Sequence, residues 1–459
     1  MIVVRLLAAL SLAMVMSPAA RALDLAEVWH GAALHDPEFA AARAAHEAGL
    51  SNRTQAGALW RPSVQLEGGV ARAGSESSMR GAAFSAPGLG STDGAGFDTS
   101  ITQGTSTRIA LAIRQPLFSR EREARSHQHE IAAELTELEW QDAQQALILR
   151  SAERYFDLAL ASAQLRLVTR QQAAVDQAMV EARDRFRTGD RPVTDLHEAA
   201  ARAASLNARR LVAETDLELK RVALADLAGL RSVETPLHLP TSATRRDDVG
   251  ALADWLAQVG QRNPGLRVAE ARLRAAEQEQ RKTSTALSPS IDLVALIGRE
   301  RLSGSGNFGG ASNISSSHAI GVQLTVPLYT GGWRGARQTE TRALVDKAQA
   351  DLERARQQVA WQARSAWLDL AVGNSQESAL AAAAVASLAR LEATRVGRRA
   401  GDRTTQELLD AENDAAAAEY GLIALRVHLL TDRLRLFALG GQLDDTQLSS
   451  LDAALRASP

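Results

Sequence analysis

Apolar and polar residues alternate with a period of two in four short stretches of this chain, and long tracts of helical periodicity run between them. Ser63-Val64-Gln65-Leu66-Glu67-Gly68-Gly69-Val70 and Arg108-Ile109-Ala110-Leu111-Ala112-Ile113-Arg114 lie in the first half. Ser290-Ile291-Asp292-Leu293 and Ile320-Gly321-Val322-Gln323-Leu324-Thr325-Val326 lie in the second. Alternation sends successive side chains to opposite faces of a strand. It predicts strands near 62–73, 106–118, 289–300 and 318–330, each with one apolar and one polar face. The Gly- and Ser-rich stretches Gly74 to Gly104 and Gly304 to Ser317 read as mobile loops.

After the second strand of each half comes a proline-free tract, predicting long helices over 119–188 and 333–399 with returning helices over 191–230 and 403–439. At 1.5 Å per residue each long helix extends on the order of 100 Å. Leu149, Ala152, Phe156, Ala159 and Ala163 alternate steps of three and four, as a coiled-coil seam does. Leu422, Leu425, Leu429 and Leu436 mark a second seam.

The halves are copies. Asp36-Pro37-Glu38-Phe39 matches Asn263-Pro264-Gly265-Leu266, and Arg61-Pro62-Ser63 matches Ser288-Pro289-Ser290. Gln115-Pro116-Leu117-Phe118 matches Val326-Pro327-Leu328-Tyr329, and Tyr155-Phe156-Asp157-Leu158 matches Trp367-Leu368-Asp369-Leu370. A helix-tip phrase is written twice, as Arg187-Thr188-Gly189-Asp190-Arg191 and Arg399-Ala400-Gly401-Asp402-Arg403. A repeat this long is architectural. It divides the chain into a first repeat over 23–230, a linker over 231–250, a second repeat over 251–440 and a polar tail over 441–459. Linker and tail read as segments wrapping the outside.

Composition narrows the setting. Arg5, the apolar run Leu6 to Met16 and Ala20-Arg21-Ala22 form a secretory signal over 1–22. Net charge is −2 with no basic cluster, which argues against nucleic acid as a partner. With no cysteine there is no disulfide framework. No later stretch offers a transmembrane helix, so a membrane would be crossed by strands. Four strands cannot close a membrane barrel, and open edges are not tolerated in hydrocarbon. Several copies must therefore share one barrel; two, three or four would each give an even-stranded solution. Catalytic and metal constellations fail on spacing. His197-Glu198 is followed by Ala201 where a zinc-protease helix needs histidine, and His127-Gln128-His129 supplies two diverging rings. The expectation is a non-enzyme with no cofactor and no metal.

The proline-flanked strands, the Gln-Pro-Leu-Phe and Val-Pro-Leu-Tyr exits and the doubled tips resemble the TolC family of outer-membrane channel-tunnels over essentially the whole mature chain. The resemblance implies an α+β membrane protein in the outer membrane. It would be a homotrimer with a shared 12-stranded barrel in outer-membrane lipid and a periplasmic α-barrel of coiled-coil helices. Such a duct is passive, and works with a periplasmic adaptor and, through it, an inner-membrane ABC or proton-driven transporter. By family analogy the tip turns at Gly189, Asp190, Arg191, Gly401 and Asp402 are the adaptor-docking surface. Asp195, Arg398 and Arg403 are then the periplasmic gate, and Glu407 and Asp410 an acidic ring lining the pore. Arg398 departs from the family, which often has tyrosine there. The phrases around Arg185 to Gly189 and Thr194 to Leu196 look more like type I protein secretion than drug efflux. The competing reading is a soluble periplasmic coiled-coil scaffold or adaptor protein, which leaves the four matched strands unexplained.

Overall fold

The computed structural model describes residues 23–88, 90–189, 192–233, 237–241, 250–284 and 288–456. The leader expected at 1–22 and much of the linker expected at 231–250 lie outside them. The element order is α1 (Leu25–His35), α2 (Pro37–Ala58), β1 (Ser63–Ala86), β2 (Gly90–Ser119), α3 (Arg120–Arg187) and α4 (Val193–Ala228). Then follow α5 (Leu252–Arg262), α6 (Pro264–Ser284), β3 (Ser290–Gly306), β4 (Gly309–Thr325), α7 (Trp333–Ala400), α8 (Thr405–Leu439) and α9 (Asp445–Arg456). The chain forms two compact units. One holds 48–135 and 271–349; the other holds the described residues among 1–47, 136–270 and 350–459.

The first unit is built on one antiparallel sheet of order β1-β2-β3-β4. Its register sorts the alternating residues into two faces. Leu66 pairs with Leu111 and Leu111 with Ile297; Ile113 pairs with Ala295 and Ala295 with Ile320. Leu66, Ile297 and Ile320 are all exposed, so this face is a continuous apolar surface. The opposite face carries Glu67, Arg108, Arg114, Asp292 and Glu300. Arg114 Nε lies 3.4 Å from Asp292 Oδ2, and Ser106 Oγ donates to Glu300 Oε1 at 2.6 Å. Charges pair on one side while leucines and isoleucines stand bare on the other, which suits a wet lumen and a lipid exterior.

The strands run further than alternation predicted. Segments 74–104 and 304–317, expected as mobile loops, are largely strand: pairing continues from Arg72↔Thr105 to Ala86↔Gly90, and from Ser303↔Ser312 to Gly306↔Gly309. The ladder uses backbone groups alone, so Gly- and Ser-rich sequence extends a hairpin without an apolar face to betray it. Glycine is required where strands press together. A Cβ on Gly304 would lie 2.1 Å from Gln103 O, and one on Gly306 would lie 1.9 Å from Ser100 O. Near this sheet, Glu279 on α6 receives Lys282 Nζ at 2.6 Å, Arg337 Nη2 at 2.8 Å and the Gln128 amide. Burial opposes ionisation of its carboxyl, but these donors outweigh burial and hold its pKa at about 2.

The second unit is helical. α1, α3, α4, α8 and α9 share a core of Leu25, Val28, Tyr155, Phe156, Leu224, Leu434 and Leu448. The first predicted seam is there: Ala152, Phe156, Ala159 and Ala163 are buried. Trp255 and Val259 of α5 pack with Ala363, Leu370, Leu429 and Leu436 in a companion core. The tail, read as polar wrapping, instead forms α9. Leu448 and Leu455 are buried, Leu25 N donates to Asp452 Oδ1 at 3.0 Å, and Arg456 lies 2.7 Å from Asp24. Its three-to-four spacing of leucines was present but short.

Candidate functional site

Both tips turn on a glycine. Gly189 has φ +77° and Gly401 φ +84°, a left-handed backbone that costs other residues. At the second tip Gly401 N donates to Arg398 O at 3.1 Å and Asp402 N to Gly397 O at 2.9 Å, the bond pair of a Schellman turn. At the first, Gly189 N donates to Phe186 O at 3.0 Å. Asp190 and Arg191 lie outside the described residues.

The helices leaving the tips start differently. Thr404 caps α8 with a complete capping box: Glu407 N donates to Thr404 Oγ1 at 3.1 Å, and Thr404 N donates to Glu407 Oε2 at 2.7 Å. The corresponding residue before α4 is Pro192, whose side chain makes no cap bond. Arg403 Nη1 also donates to Glu407 Oε1 at 2.9 Å. The Thr404 backbone N–H, then Arg403, then the Thr404 hydroxyl hold the Glu407 carboxyl below its ordinary value. Within one chain, then, Arg403 serves the cap of its own helix.

Other tip charges join the two helix pairs. Arg398 of α7, largely buried, forms an ion pair with Glu181 of α3. Burial lowers its pKa, but a guanidinium stays charged in proteins. Arg202 of α4 donates to Asp410 of α8 at 2.8 Å and approaches Glu198 at 3.4 Å. Asp195 lines a cleft of about 160 Å³ together with Glu181, Glu198, Arg202, Thr404 and Gln406. So Asp195, Arg398 and Arg403 gather at the tips. Glu407 and Asp410 are each engaged by a cation of the same chain. Sequence reading missed Glu181 and Arg202; the one signal was the Glu198–Arg202 spacing on α4. His127 and His129 take separate partners, Glu130 at 3.1 Å and Asn52 at 3.0 Å.

Known proteins share this fold. The family described as "Outer membrane efflux protein" matches residues 28–230 and 255–442. The chain is 25% identical over 457 residues to the outer membrane protein TolC of Vibrio cholerae, covering 96% of each. It is 24% identical over 443 residues to the proteases secretion protein PrtF of Dickeya chrysanthemi, covering 96% of this chain and 93% of that one. Among solved structures it resembles the outer membrane protein VceC of Vibrio cholerae, with a TM-score of 0.72 at 20% identity, covering 92% of this chain and 97% of that one. The soluble-scaffold reading falls with these matches and with the bare apolar sheet face. The chain belongs to the outer membrane efflux protein family: it is a non-enzymatic outer-membrane export channel whose long helices extend into the periplasm.

Proposed function

We propose that the channel is a homotrimer, that its tips dock a periplasmic adaptor linked to an inner-membrane transporter, and that its cargo is protein exported by type I secretion. The carrying observation is the four-stranded sheet, in which β1 and β4 are each paired on one side only. Their outer edges demand further strands before the apolar face can meet lipid. Three copies give twelve strands. The first repeat over 23–230 and the second over 251–440 then act as the two structural modules of each subunit.

Protein cargo is supported by the tip phrases and by the full-length likeness to a protein named for protease secretion. Gating follows from the tip geometry. The Glu181–Arg398 and Arg202–Asp410 pairs hold adjacent helix pairs together, and opening separates them. An Asp195–Arg403 latch to a neighbouring subunit would require Arg403 to leave Glu407. Asp410 and Glu407, already paired, give the entrance a milder cation preference than bare carboxylate rings would. Deleting the gene tests the cargo. A secreted protein should vanish from the medium while drug tolerance is unchanged; lost drug tolerance with an intact secreted proteome would overturn protein export.

A further inference from the structure

The repeat that pairs Tyr155 with Trp367 and Arg187 with Arg399 also pairs Asp157 with Asp369, Asp216 with His428 and Lys220 with Asp432. In the first copy, Lys220 Nζ donates to Asp157 Oδ2 at 3.0 Å, an ordinary ion pair. In the second copy the lysine has become aspartate. Two carboxylates now face each other where a cation and an anion stood, and an imidazole has joined them. The donor atoms of Asp369, His428 and Asp432 all lie within 4.8 Å of one another.

Asp432 is only 3% exposed, and its Oδ2 accepts no hydrogen bond. That atom lies 3.1 Å from His428 Nε2, close but without hydrogen-bond geometry. Two ligands bound to one tetrahedral ion at 2.0–2.1 Å stand about 3.3 Å apart, so the 3.1 Å spacing, which is also that of a direct imidazole–carboxylate ion pair, is one that a shared cation can occupy. His428 and Asp432 sit one turn apart on α8, and Asp369 reaches in from α7. Asp369 is the third ligand atom within 4.8 Å of the other two. The group lines a cavity of about 520 Å³ that also exposes Asp142 and Asn263, giving an ion a polar route in. Arg435, 3.3 Å away, donates to Oδ1 and is shared with Glu153, so Oδ2 is left without a hydrogen bond.

We propose that Asp369, His428 and Asp432 bind a divalent transition-metal ion of the Zn2+ class, clipping α7 to α8 where the first copy uses the Lys220–Asp157 pair. One nitrogen and two carboxylate oxygens favour Zn2+ or Co2+ over Ca2+ and Mg2+, which take all-oxygen sites.

The test uses the full chain in detergent, without a histidine tag and stripped by chelator. Titration with Zn2+ should show saturable binding, raise the melting temperature, and displace Co2+ with loss of its visible absorption. His428→Gln and Asp369→Asn change exposed or half-buried groups and should fold, yet lose that binding. Asp432→Lys rebuilds the first copy's ion pair and should melt like the metal-loaded protein while ignoring Zn2+. Absence of saturable Zn2+ binding by the unaltered chain, or retention of it by either His428→Gln or Asp369→Asn, would overturn the assignment.

Discussion

The two helix tips come from one repeated phrase, yet they close their helices by different means. The first turns at Gly189 and starts α4 after Pro192, with no side-chain cap. The second turns at Gly401 and starts α8 with a full capping box that also recruits Arg403. Where the first copy has Phe186, 42% exposed, the second has Arg398 bound to Glu181. The turn was kept because only glycine fits it, while the residues around it diverged. One turn became the better-fastened and the other the looser.

The sharpest way to break this contrast is to remove the link that only one tip supplies. Arg398→Ala leaves Glu181 without its guanidinium, at a cost of about 2 kcal/mol. It should raise closed-state conductance in a planar bilayer by more than tenfold, whereas Phe186→Ala should leave conductance near the unaltered level. Equal conductance of the two variants would end the idea that the tips differ in fastening. Next come the turns themselves. Gly401→Ala and Gly189→Ala each force a side chain into left-handed backbone, costing about 1–2 kcal/mol. Amide exchange should quicken similarly at both tips; a one-sided effect would mean that the two turns are not equivalent.

Removing the cap is a smaller perturbation. Thr404→Ala should loosen the first turn of α8 by about 1 kcal/mol, read as faster amide exchange there. Pro192→Ala should leave α4 close to its starting exchange rate, since Pro192 offers no cap to lose. The least effect is that of acid. The Glu407 pKa is lowered in the folded chain, so its stabilising contribution is present above the ordinary glutamate range and fades as pH falls through the lowered value. Exchange in the first turn of α8 should accelerate there, and Glu407→Gln should flatten the dependence. Glu279 provides a reference: its contribution should persist until pH approaches about 2.

Elements set by periodicity were legible in the residues. Val64 to Val70 and Ile109 to Ile113 announced strands because one face needs apolar cover, and the doubled tips located both turns. What escaped was structure held by backbone or by distant partners. The hairpin beyond Arg72 is a backbone ladder of glycine and serine, without alternation to read. α9 is too short for its leucines to stand out, and it is identified by what Asp452 and Arg456 touch. At the tips, residue types and positions were legible, but pairing was not. Arg403 was expected at the gate as the opposite charge to Asp195, and within the chain it bonds Glu407 one turn away. Arg398 meets Glu181 from a helix more than two hundred positions earlier in sequence, a separation that no local pattern encodes. The Asp369–His428–Asp432 group escaped for the same reason, since its third ligand arrives from another helix.

The exposed outer edges of β1 and β4 bear on inheritance. In the proposed trimer each subunit completes its neighbours' sheets, so a copy with a spoiled edge, such as one with proline inside β4, ruins every assembly that admits it. The intact fraction then falls as the cube of the normal subunit fraction. A defective allele expressed beside a sound one should act as a dominant, and it should do so most strongly when its helices still recruit the other two subunits.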